Sequence, residues 1–213
     1  ILTTVSAQTP SAPHSFLTPL RDDVTRLIQA ATADDFAWQR LAELTDTYGS
    51  RLSGSENLTR AVEWAARTMK ADGLENVRTE RVMVPSWVRG RESAEIVDPP
   101  RQAIPVLGLG GSVPTPAGGL EADVLVVTSF DDLRVKGAEA KNRIVLFNVP
   151  YNGYSETVTY RTGGARSAAQ YGAVAALIRS AGPLGLRTTH TGSVSYTSGQ
   201  TPIPAAAVSA EDA

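Results

Sequence analysis

Apolar residues recur at helical spacing through the first part of the chain and then give way to short β-branched runs. Leu20, Val24, Leu27, Ile28 and Ala31 form one apolar stripe, with Thr18-Pro19 placed as N-cap and first helical residue. A second helix carries Phe36, Leu41 and Leu44, is capped by Asp34 or Asp35, and stops at Gly49. A third starts near Ser53–Ser55, where Ser53 and Glu56 have capping-box spacing. Its inward face is Leu58, Ala61, Val62, Ala65 and Met69, and Gly73 ends it. Residues 77–84 then read as a strand closed by Pro85.

After Trp87 the pattern changes. Strands are expected at 104–109, 122–128, 143–149, 174–179 and 203–208, separated by Gly and Pro. One helix is expected at about 163–171, through Ala165, Ala168, Ala169 and Tyr171, and Asp131-Asp132-Leu133 adds a single turn. The fold class is therefore α/β, in two parts. Residues 15–94 supply helices and the first strand of one domain, and residues 95–213 form a β-rich module. Residues 1–14 read as a poorly ordered lead. It contains Val5-Ser6-Ala7, a small-residue cleavage pattern that fits the tail of a signal peptide and implies a secreted or periplasmic protein.

Composition narrows the function classes. The chain has 213 residues, 42% apolar and 20% charged, as in ordinary soluble globular proteins. A net charge of −2 supplies no basic stripe for nucleic acid or an anionic membrane, so neither is expected as a partner. No apolar run approaches the roughly 20 residues that cross a bilayer. Without cysteine there is no disulfide framework and no thiolate chemistry.

Few residues carry obvious chemistry. The adjacent carboxylates Asp22-Asp23, Asp34-Asp35 and Asp131-Asp132 read as structural charges rather than acid–base pairs, because helix neighbours point about 100° apart, and helix-start charge explains at least Asp34-Asp35. Gly108-Leu109-Gly110-Gly111 is followed by Pro114 and Pro116, not by a helix start with Lys-Ser/Thr, so it is no phosphate loop. No nucleophile elbow is present. The two histidines are His14, in the lead, and His190, in the polar stretch Thr188-Thr189-His190-Thr191-Gly192. A paired-zinc site takes about five His, Asp and Glu ligands at strand ends. Two distant histidines do not provide one.

Several separate segments nevertheless resemble one family in the same order. Tyr48 to Ser55, Ala61 to Ala66, Met83 to Gly90 and Glu92 to Glu95 are similar to the start of the catalytic domain in zinc exopeptidases of the carboxypeptidase Q type, also called plasma glutamate carboxypeptidase. Leu109 to Ser112, Ile144 to Asn148, Glu156 to Val158, Tyr160-Arg161, Tyr171 to Leu177, His190 to Gly192 and Ile203-Pro204 resemble the protease-associated insert of that family. The resemblance implies a hydrolase of short peptides or dipeptides, with two zinc ions activating a bridging water and a glutamate as general base. It places every metal ligand and the base after the insert, from a His-x-Asp segment onward. No catalytic or metal residue is therefore carried over, and this chain alone is expected to bind no zinc.

What the resemblance leaves here is a cleft-facing loop, His190, Thr191 and Gly192, with Tyr160 and Arg161 beside it. Arg161 is a candidate for a substrate carboxylate, since guanidinium offers a fork of donors, and equally for a structural ion pair. Arg51 and Gly54 shape the turn before the third helix. The chain then reads as the N-terminal fragment of a secreted metalloexopeptidase, with the rest of the peptidase domain, a short peptide and a second copy in a homodimer as partners. The alternative is a non-catalytic protease-associated module that binds peptides or partner proteins. Helices whose apolar faces need a partner distinguish the two, because a free-standing module has no use for them. A carbohydrate-binding module lacks the aromatic platform, with aromatics at 6%.

Overall fold

The computed structural model describes residues 15–213. The signal-peptide reading and His14 lie outside the described residues. The chain divides into two units, Ile1–Ser86 and Trp87–Ala213.

The first unit is helical. A 3₁₀ segment, Ser15–Leu20, leads into α1 (Arg21–Ala33), α2 (Phe36–Tyr48) and α3 (Glu56–Ala71). Thr18-Pro19 thus falls in the 3₁₀ segment, and α1 starts after it without a side-chain cap. The N-cap of α2 is Asp35, which makes no side-chain cap bond; the Asp34 carboxylate before it accepts from Phe36 N at 3.2 Å. The cap of α3 is Ser55, whose hydroxyl accepts from Leu58 N at 3.2 Å, so the Ser53–Glu56 capping box does not form. Arg51 and Gly54 do shape the entry. Arg51 donates to the Leu44 carbonyl at 3.0 Å, and Gly54 has φ +78° with its open side against Ser86.

Helix α2 packs on α3 through Tyr48 and Trp64, ring centroids 5.8 Å apart, and Trp64 donates to Glu43 at 2.6 Å. Beyond that the unit buries little. Among its described residues only Tyr48 and Ala61 are buried apolar side chains. The predicted stripe of α1 is exposed, with Leu27 70% and Ile28 58% accessible. Residues 77–84 form no strand. A strand exists only against a hydrogen-bonded neighbour, and no described segment pairs with this one; Val82 and Met83 stand exposed. No described helix is long and apolar enough to cross a membrane.

The second unit holds the core. It opens on an antiparallel hairpin absent from the sequence reading, β1 (Ala94–Ile96) with β2 (Gln102–Ile104), Ala94 opposite Ile104. Next come β3 (Val106–Gly108), β4 (Val124–Val127), α4 (Phe130–Val135), β5 (Ile144–Phe147), α5 (Tyr154–Ala169), β6 (Ala175–Arg179) and β7 (Ala205–Val208). The five-stranded sheet has the order β3-β7-β6-β5-β4; β4 to β7 are parallel and β3 runs antiparallel on the edge. All five expected strands exist, each shorter than expected. The buried runs Ile144–Phe147 and Ala175–Arg179 are the continuous apolar type that parallel strands covered on both faces require. The unit begins at Trp87, where the sequence pattern changes and ahead of the boundary at 95; Trp87 donates to Ser112 O at 2.9 Å and Arg89 to Gly108 O at 2.8 Å.

Helix α5 is the main correction. It starts at Tyr154, where the sequence reading began it at 163. Thr157, Thr159, Thr162, Gly163 and Gly164 are poor helix formers, so propensity hid its first two turns. Packing overrides propensity here. A Cβ on Gly164 would stand 2.7 Å from Ile178 Cδ1 and 3.1 Å from the Phe147 ring, so the missing side chain lets α5 lie down on β5 and β6. Gly164→Ala gains about 1 kcal/mol of helix propensity but overpacks a filled core at about 1–3 kcal/mol. We expect a net loss, seen as a lower urea midpoint; a raised midpoint would contradict this packing.

Candidate functional site

The candidate residues sit on the long connection between β6 and β7, and the sequence explains why an exposed loop is held still there. Ser180, at the end of β6, is buried; its hydroxyl donates to Val208 O at 2.6 Å and accepts from His190 N at 2.8 Å. Thr191 Oγ1 donates to Gly108 O at 3.0 Å. Gly110 N donates to Gly192 O at 2.7 Å, and Val194 N returns to Gly110 O at 2.9 Å. The glycine run at 108–111 thus has a role unlike a phosphate loop: a Cβ on Gly110 would come within 3.3 Å of the Gly192 carbonyl.

Arg161 reaches the same loop from α5. Its Nη1 donates to Thr191 O at 3.2 Å and its Nη2 to Tyr154 Oη at 3.1 Å. Gly192 makes room for it, since a Cβ there would lie 2.5 Å from Arg161 Cζ. The His190 imidazole is exposed and tilted against the Tyr154 ring, centroids 5.6 Å apart. The Arg161 guanidinium lies 5.7 Å from that same ring centroid. His190, Thr191, Gly192 and Arg161 therefore come together. Tyr160 does not join them. It stacks on Phe130 at 4.4 Å and touches Phe147, because the next position on a helix is turned by about 100°.

Tyr154 and Ser180 are the participants that sequence reasoning missed. Tyr154 precedes Arg161 by two helical turns on one face, a relation visible only once α5 is known to start at 154. Ser180 gave no signal beyond being a serine after an apolar strand. Among the described residues no three His, Asp or Glu side chains gather where a metal ion would be held. His190 has the Tyr154 phenol ring beside its imidazole and the Ser180 hydroxyl on its amide, a set that does not fit zinc.

Asp131 and Asp132 lie in the first turn of α4. Asp131 pairs with Arg134 at 3.4 Å, while Asp132 accepts from Thr128 N at 2.9 Å and from Lys136 at 3.0 Å. The Thr128 amide above all, then Lys136, holds the Asp132 carboxyl below its ordinary value. A second anchor fixes the approach to His190: Arg187 donates to both carboxylate oxygens of Asp212 at 2.9 Å. Leu186 and Arg187 adopt φ +63° and +47° at that point.

The Arg187 bond, then Ser209, lowers the Asp212 carboxyl below its ordinary 3.8. A lowered carboxylate contributes stability that is complete above the unfolded value and is lost as pH falls through the folded one. Arg187→Gln should therefore leave a shallower stability loss on acidification below 3.8 than the parent chain shows. Denaturant titrations at neutral pH and below the carboxylate range measure it; parallel acid limbs would contradict the ion pair.

No protein-family model matches the chain. Carboxypeptidase Q of Bos taurus is 48% identical over 181 residues, which is 85% of this chain and 38% of that protein. The solved structure of a peptidase M28 precursor from Shewanella amazonensis SB2B superposes with a TM-score of 0.83 at 36% identity, covering 90% of this chain and 45% of that one. The zinc aminopeptidase BSAP of Bacillus subtilis superposes at a TM-score of 0.60 over 83% of this chain and 39% of its own; its 22% identity speaks for the fold alone. The chain spans less than half the length of each. Over the stretch they share, this chain is homologous to carboxypeptidase Q and to the peptidase M28 precursor.

Proposed function

We propose that the chain serves a secreted or periplasmic zinc exopeptidase acting on short peptides or dipeptides, as the portion that shapes the substrate cleft rather than the portion that holds the metals. The observation that carries this reading is the 48% identity to carboxypeptidase Q across 85% of the chain. The share of that relative's length covered, 38%, leaves room for metal ligands and a general base elsewhere in such a protein. Secretion is supported by the small-residue pattern Val5-Ser6-Ala7.

In this reading Trp87–Ala213 is the protease-associated module, with His190, Thr191 and Gly192 as its contribution to the cleft. Arg161 secures that loop. The helices of the first unit belong to the peptidase domain proper, and their exposed apolar stripes are where the remainder of that domain packs.

Two preparations test the proposal. The chain by itself, incubated with zinc and passed through gel filtration, should retain no stoichiometric metal and hydrolyse no dipeptide. The product of the native reading frame should retain zinc, and chelation should abolish its dipeptide hydrolysis. Hydrolysis by the chain alone would place the metal site within it, against the proposal. A native product with no zinc-dependent hydrolysis would end the peptidase reading.

A further inference from the structure

Arg161 is one of two arginines, with Arg179, whose Nε is covered without an acceptor among the described residues. Arg26, Arg40, Arg89, Arg101 and Arg187 each pair with a carboxylate within 4 Å. Among the described residues Arg161 has no such partner, although its side chain is half-buried and its Nε is covered without an acceptor. Withdrawing a cation from water is costly unless an anion or a full set of acceptors compensates. Here the acceptors are one carbonyl and one phenol, both neutral. The guanidinium retains Nη hydrogens beyond those two bonds.

What surrounds it is also rich in donors. Tyr154 Oη accepts from Arg161, so its own proton is free to be donated elsewhere. The His190 imidazole makes no hydrogen bond with another described residue, is exposed, and faces the Tyr154 ring. The carboxylate of Glu156, on the same turn of α5 as Tyr154, is engaged by Asn152 Nδ2 at 2.9 Å. The backbone that presents His190 is tied to β3, β6 and α5 by the Ser180, Gly108, Gly110 and Arg161 contacts. Surface loops are ordinarily mobile; one pinned from several sides holds its donors in place in advance, as a binding site requires.

We infer that Tyr154, Arg161 and His190 form a carboxylate-binding point on the Trp87–Ala213 unit. Resting on the peptidase reading, the carboxylate is the terminal group of a short peptide. The fork of Arg161 matches the two oxygens of a carboxylate, Tyr154 supplies a neutral donor, and His190 closes the open side. The site is shallow and solvated, so affinity for a lone carboxylate falls in the millimolar range.

The test reads binding without turnover. In the full chain carrying His14→Asn, the imidazole Hε1 resonance of His190 is followed by NMR while N-acetylglycine is added. A parallel titration uses N-acetylglycine amide, which lacks the charge. The expected result is a saturable shift with the acid and none with the amide, and binding about three- to tenfold weaker in Tyr154→Phe. Tyr154 is exposed at its rim, so that variant should keep the native amide spectrum of β5 and β6. If it does not, Arg161→Lys, which keeps the charge and loses the fork, should weaken binding in the same range. No saturable shift, an equal shift with the amide, or unchanged binding in the folded variant would overturn the site. Such a failure leaves the peptidase reading standing, because that reading falls only on zinc-dependent hydrolysis by the native product.

Discussion

The approach of helix α5 to the parallel sheet is the contact on which the second unit depends. Gly164 removes the side chain that would hold the helix away from Phe147 and Ile178. With the helix seated, Ala165 and Ala168 are fully covered, Phe130, Phe147 and Tyr160 form one ring cluster, and Arg161 is turned toward the β6–β7 connection. The same device recurs at the loop, where Gly192 admits the guanidinium and Gly110 admits the Gly192 carbonyl. Close packing of backbone, rather than an extensive polar network, fixes the geometry of the candidate site. The polar contacts then select one conformation of a loop that the packing has already brought near.

The strands were legible because parallel, doubly covered strands demand short β-branched or alanine runs, and Ile144–Phe147 and Ala205–Val208 supply them. Helix α5 was only half legible: threonine and glycine weigh against a helix locally, and the reason for them lies in residues 147 and 178, which the local pattern does not reveal. Residues 77–84 failed in the opposite sense. Their pattern suits a strand, yet a strand needs a neighbour, and none of the described segments provides it. At the site, His190, Thr191, Gly192 and Arg161 were found together through a resemblance rather than through periodicity. Tyr160 was misplaced by one helical position, and Tyr154 was invisible until the helix start was known.

The two units differ in how much of their own stability they carry. The second buries a continuous core from Leu109 to Ala207. The first buries Tyr48 and Ala61 while Leu27, Ile28, Trp38 and Val82 remain largely exposed. Burial of apolar surface is the main favourable term in folding, so α1 has little to hold it beyond its own hydrogen bonds, and a helix of its length is marginal alone in water. This asymmetry accords with the proposed role: a self-sufficient module joined to helices whose partner surface lies elsewhere.

Native-state amide hydrogen exchange on the whole chain measures this account most directly. The His190 amide, bonded to buried Ser180, and the Gly110 amide, bonded to Gly192 O, should fall in the same slow class as the amides of β5 and β6. Amides of α1 should exchange orders of magnitude faster. His190 and Gly110 amides exchanging as fast as those of α1 would show that the loop is not held by the core, and the site built on it would not stand.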